Sequence, residues 1–217
     1  MRLLQLVSPS LPIGAFTYSQ GLEWAVEAGW VSSQVDLYEW LYDTLQTNIT
    51  YVEIPLFKRM FEAYAGDDPD SAASWIEFLL ASRETAELKL EEQQRGRAFV
   101  RLLPELGFDL SEKMTSQLQK TQLAGFAYAA VHWEIDANLA IQAYLWSWLE
   151  NLTLAGVKLI PLGQTAGQKT IFKLSEHVAS AVASGMLLED EDIGFSCSAQ
   201  AIASSLHETQ YTRLYRS

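Results

Sequence analysis

Residues 137–159 read Ala-Asn-Leu-Ala-Ile-Gln-Ala-Tyr-Leu-Trp-Ser-Trp-Leu-Glu-Asn-Leu-Thr-Leu-Ala-Gly-Val-Lys-Leu. Only Glu150 and Lys158 are charged, and apolar side chains fall on nearly every side of a 3.6-residue spiral. Such a segment predicts a helix buried centrally or against a second chain. Pro161 and Gly163 stop it. Downstream, the same period predicts helices over about 164–186 and 198–209, separated by the acidic, solvated stretch Glu189-Asp190-Glu191-Asp192. Upstream, Ser111 opens a helix reaching about Trp133, and residues 72–103 make one or two more, ended by Pro104 and Gly107.

Before that, Gly66-Asp67-Asp68-Pro69-Asp70 is a loop with Asp70 placed to cap, and Pro55 should start or kink a helix containing Leu56, Phe57, Met60 and Phe61. Ser33 caps a helix carrying Leu37, Trp40, Leu41, Thr44 and Leu45, with Asp36 in its first turn. Residues 21–28 form a short helix closed by Gly29 in a left-handed cap. Alternating strand patterns, repeats and linkers are absent from the sequence. The expectation is one all-α domain over 1–217, a bundle of roughly eight to ten helices.

Composition narrows the function. The chain has 217 residues, 49% of them hydrophobic, and a net charge of −12, so it can bury a large core and repels nucleic acid. Its 7 Trp need a core or an interface to cover them. One cysteine, Cys197, excludes an internal disulfide and a multi-thiolate metal site and fits a reducing compartment. The apolar run after Arg2 is broken at Ser8-Pro9, and no stretch reaches about 18 apolar residues, so neither a leader nor a membrane span is expected. A soluble cytoplasmic protein follows.

Little here resembles a reaction centre. Gly163-Gln164-Thr165-Ala166-Gly167-Gln168-Lys169-Thr170 has one residue too few between its glycines for a phosphate loop, and it follows a helix instead of a strand. His132, His177 and His207 lack metal-ligand spacing. His132 is expected hydrogen-bonded and at least half-buried beside Trp133, and His207 near the surface. The i, i+4 pairs Arg83/Glu87 and Glu91/Arg95 read as a solvated flank, as does Glu91-Glu92. Cys197 has no local activating partner, and no nucleophile elbow occurs. No cofactor is expected. Two stretches stand out. Residues 8–21 (Ser-Pro-Ser-Leu-Pro-Ile-Gly-Ala-Phe-Thr-Tyr-Ser-Gln-Gly) form a stiff aromatic loop, either a core plug or a recognition surface. Residues 211–217 (Tyr-Thr-Arg-Leu-Tyr-Arg-Ser) are cationic in an acidic chain, with the arginine-aromatic make-up of binding hot spots.

These stretches carry a family resemblance. Residues 11–23 (LPIGAFTYSQGLE), 82–88 (SRETAEL), 158–164 (KLIPLGQ) with Gln168, and 207–217 (HETQYTRLYRS) together resemble, in order, the motifs of the UreF family of urease accessory proteins. Phe16 stands where that family often has Tyr. The resemblance implies an all-α homodimer that binds the UreD/UreH accessory protein, recruits the GTPase UreG, regulates its hydrolysis and delivers nickel to apo-urease without being an enzyme. It further implies that Glu23 and Lys158 couple to UreG, and that Phe16 and Arg213 become ordered with UreD/UreH. Tyr18, Ser19, Gln164, Gln168, Tyr215 and Arg216 complete the implied partner-binding set. The alternatives are a stand-alone helical ligand-binding protein and a nucleotide-binding enzyme using Lys169.

Overall fold

A computed structural model of the protein describes residues 1–217, and it is all-α. The segment that decides the sequence reading is the longest helix. In chain order the helices are α1 (Arg2–Leu6), α2 (Leu22–Glu27), α3 (Gln34–Thr44), α4 (Ile54–Ala65), α5 (Pro69–Ala81), α6 (Ala86–Leu102), α7 (Glu112–Leu118), α8 (Gln122–His132), α9 (Ala137–Leu159), α10 (Gln164–Gly185) and α11 (Ser198–His207). Helices α3 and α4 are one rod, joined through a π-helical stretch, Leu45–Glu53.

The starts follow from side-chain chemistry. Ser33, Thr85, Ser111, Thr121 and Asp136 each accept a backbone N–H of the first turn, satisfying a donor the helix itself leaves orphaned. Gly29 takes its expected left-handed conformation at φ 75° after α2. Three boundaries differ from expectation. Asp68, not Asp70, caps α5, because Pro69 suits the first helical position and leaves Asp70 inside the turn. The expected 111–133 helix is two, since Thr121 caps a fresh start at α8. Pro55 stands in the first turn of α4, as expected, yet α4 is not a separate helix: the π turns before it lead straight into it and accommodate the missing N–H, and Thr50 Oγ1 donates to the Leu45 carbonyl at 2.6 Å.

One continuous apolar core runs through the chain from Leu6 to Tyr215, with Phe57, Phe99, Phe126 and Met60 fully enclosed. Helix α9 crosses it, packing on α10, α2, α3 and α8. Its burial is one-sided, however: Ile141, Leu145, Trp148, Leu149 and Leu152 face inward, while Leu139 and Trp146 are 57% and 43% exposed. Of the 7 tryptophans Trp148 is buried, Trp24, Trp40, Trp75 and Trp133 are half-buried against the core, and Trp30 and Trp146 are exposed. Helices α6 and α8 meet closely because Gly96 has no side chain: a Cβ there would lie 2.7 Å from both Gln119 O and Thr121 N. No helix is long and apolar enough to cross a membrane.

Candidate docking surface

The stiff loop and the cationic tail, far apart in sequence, are laid against each other. Ser19 donates from its backbone N–H at 2.8 Å and its hydroxyl at 2.5 Å to the Ser217 backbone oxygen. Arg216 N–H donates to Thr17 O at 2.9 Å. At the head of α2, Glu23 accepts from the backbone N–H groups of Leu214 at 2.6 Å and Tyr215 at 2.9 Å. The turn into α2 depends on Gly21 (φ 84°), where a Cβ would sit 2.7 Å from the Ser204 backbone nitrogen of α11.

Beneath this clasp lies a charged layer. His207, fully buried, faces Glu23 Oε2 through Nε2 at 3.1 Å and Glu87 Oε2 through Nδ1 at 2.6 Å. Arg213 pairs with the other oxygen of Glu87. Glu91 accepts from Ser217 Oγ (2.9 Å), Gln20 Nε2 (3.0 Å) and Arg95 (2.7 Å). Tyr18 OH and Arg216 both donate to Gln94 Oε1, at 2.7 and 3.2 Å. Deeper still, one Arg83 nitrogen bridges Glu53 (2.9 Å) and Glu92 (2.5 Å). Burial pushes the Glu53 carboxyl upward; Arg83 offsets this in part and Glu92 adds to it. For Glu92 burial acts in the same direction, but Arg83, the Thr121 hydroxyl and Arg95 outweigh it and hold the carboxyl below the usual range.

Several expectations are corrected by this arrangement. Glu91 and Glu92 are 3% and 8% exposed, so the presumed solvated flank is a buried layer. Arg83 engages Glu53 and Glu92 instead of Glu87, which serves His207 and Arg213. His207 is internal, and its two nitrogens are both occupied by carboxylates. His132 is exposed, its ring tilted against Phe108 with centroids 4.4 Å apart. The glycine stretch at 163–170 opens helix α10, within the helix expected over about 164–186.

Of the residues singled out in the sequence, Phe16, Tyr18, Ser19, Glu23, Arg213, Tyr215 and Arg216 converge on the clasp. Lys158, Gln164 and Gln168 sit apart, at the α9–α10 corner, and no hydrogen bond joins the two groups. Lys158 is exposed, whereas Glu23 is 5% exposed and spent on the tail. Outside the clasp's buried hydrogen bonds, Phe16, Leu214 and Tyr211 stand open to solvent. Sequence reasoning missed Glu53, Glu87, Gln94 and His207 as members of this network. A cue existed in α6: Leu88 and Phe99 bracket Glu91, Glu92 and Arg95 on one helical stripe, which points those charges inward.

Comparison with known proteins now decides the family. The UreF family model matches residues 31–175. The chain belongs to the UreF family. It is 48% identical to the urease accessory protein UreF of Alcanivorax borkumensis, over all of this chain and 97% of that protein. It is 46% identical to UreF of Pseudomonas putida (strain W619) and 43% identical to UreF of Enterobacter sp. (strain 638), with the same coverage. The loop at 8–21 and the tail lie outside the part matched by the family model, and the full-length UreF relatives cover them.

Proposed function

We propose that this UreF family member is one domain over 1–217 that works as a docking platform in urease maturation and performs no chemistry of its own. It binds UreD/UreH through the loop–tail clasp and recruits UreG at the α9–α10 corner. It gates GTP hydrolysis by UreG, so that nickel, the cargo, passes to apo-urease in the cytoplasm. The observation that supports this best is the clasp itself. Phe16, Leu214 and Tyr211 are 65%, 77% and 103% exposed, and beside them the tail is tied down: Glu23 holds the backbone of Leu214 and Tyr215, Ser19 that of Ser217, and Glu91 the Ser217 hydroxyl. Side chains held ready on an ordered backbone lose less entropy on association.

The second element is a twofold homodimer through the outward stripe of α9. Leu139, Ala143 and Trp146 follow helical spacing there, the first and last exposed and Ala143 half-buried between them, with Glu150 bounding the strip one turn on. Light scattering of the purified chain at micromolar concentration should return twice the 24.3 kDa chain mass; a monomer removes this part of the reading. The main test is expression of a urease operon with and without this chain, reading nickel content and urease activity. Urease that matures normally without it rules out the platform role.

A further inference from the structure

The chain has eight arginines, and five of them are already engaged. Arg59 pairs with Asp190, Arg83 with Glu53 and Glu92, Arg95 with Glu91 and Arg213 with Glu87, while Arg2 lies over the Trp133 ring. The remaining three, Arg97, Arg101 and Arg216, line a single groove of about 480 Å³. None of them meets a carboxylate. Arg97 donates only to the Gln93 carbonyl and amide, and Arg216 only to the amide of Gln94.

The surroundings sharpen the point. Arg97 and Arg101 are one helical turn apart on α6, and Arg216 comes from the tail, so the clasp completes the groove. Phe16, largely exposed, forms part of its wall, and Tyr18 fixes Gln94 beneath Arg216. Not one of the chain's 27 acidic residues lines it. In a molecule of net charge −12, three guanidinium groups left without counter-charges and set beside an open aromatic ring make an unbalanced site. Guanidinium pairs favour bidentate carboxylates, and the phenyl ring favours an aliphatic or aromatic neighbour.

We propose that this groove receives an acidic segment of a partner protein, its carboxylates paired with Arg97, Arg101 and Arg216 and one apolar side chain laid against Phe16. A nucleic acid or an anionic lipid surface would carry its negative charge beyond the groove onto the acidic remainder of the chain, whereas a short acidic segment stays within reach of the three arginines. This inference rests on the platform reading and adds to it the chemistry by which one partner is selected.

The test titrates purified UreD/UreH against the wild-type chain, the variant Arg97→Glu/Arg101→Glu, and a control, Lys169→Glu/Lys173→Glu, that alters charge equally elsewhere. Circular dichroism and thermal melting establish that each is folded. Charge reversal should weaken binding by about 100-fold or more, because like charges face each other across the interface. The control should stay within about threefold of wild type, and wild-type affinity should fall from about 50 to about 300 mM NaCl while the reversed variant's does not. In parallel, Phe16→benzoylphenylalanine is photo-crosslinked in the complex, and the captured peptide should be rich in Asp or Glu.

Wild-type binding with equal affinity in the reversed variant, an equal loss in the control, or a captured segment without carboxylates each overturns the inference and leaves the platform standing. The same holds if reversal abolishes self-association or binding to RNA or anionic vesicles instead. Failure of the wild-type chain to bind UreD/UreH removes the platform reading, and this inference with it.

Discussion

Glu23→Ala probes the clasp most directly. The carboxylate takes N–H bonds from Leu214 and Tyr215 at 2.6 and 2.9 Å and faces His207 at 3.1 Å. A hydrogen bond to a charged group contributes about 1.5–3 kcal/mol, so the two that reach the tail set a ceiling of roughly 3–6 kcal/mol. The tail is exposed along its outer side, and on losing Glu23 it can open into water without unfolding the bundle. The loss is therefore expected as local opening. At the lower bound of about 3 kcal/mol it corresponds to roughly a hundredfold change in the opening equilibrium. Amide hydrogen exchange reads this quantity. The Leu214 and Tyr215 amides should lose about two decades of protection, with Leu149 in α9 unchanged and Glu23→Gln, which keeps an acceptor oxygen, intermediate. Unchanged protection at Leu214 and Tyr215 would refute the clasp. A uniform loss that includes Leu149 would show Glu23 to be a general stabiliser instead.

Arg83→Met should lower unfolding free energy by about 3–5 kcal/mol, because it strands Glu53 and Glu92 together in the interior; urea denaturation measures this. Glu92 is held below the ordinary glutamate value of 4.5, so its contribution is present above that pH and is lost as pH falls through its folded value. Glu53 has the opposite sign: its proton is held more tightly in the folded chain, so charging it costs stability as pH climbs past 4.5. Urea midpoints measured against pH should show an acid limb that Glu92→Gln flattens and a shallow decline above it that Glu53→Gln removes. Gly96→Ala would gain about 0.5–1 kcal/mol from helix propensity but lose about 1–3 kcal/mol to overpacking. The clash is with backbone atoms of Gln119 and Thr121, which have little room to give, so calorimetry should show a lower melting temperature.

Much of the helical layout could be read in advance where local chemistry decides it. Ser33 and Ser111 cap where a hydroxyl precedes an apolar periodic run, and the α9 limits match the quoted stretch at both ends. The π-helical joint was not legible, because Pro55 is compatible with a start, a kink or a widened turn, and packing of α10 against that stretch selects the third. The charged layer escaped for a different reason. Arg83 and Glu87 have the spacing of a surface pair, but their real partners lie at Glu53, Glu92, His207 and Arg213, and no local pattern encodes contacts at such separations. The outward faces of Leu139 and Trp146 were hidden in a helix whose composition is apolar all round, since composition cannot say which side a neighbour will leave uncovered.

The hydroxyl of Ser19 closes on a residue 198 positions later. During synthesis the loop emerges early and must wait, unpaired, until residue 217 has left the ribosome. A truncated or clipped product would then keep most of its helices and its core, yet it would lack the completed arginine groove. On the proposed function, recognition by partners would in that way discriminate against copies that lack the tail, with no separate inspection step.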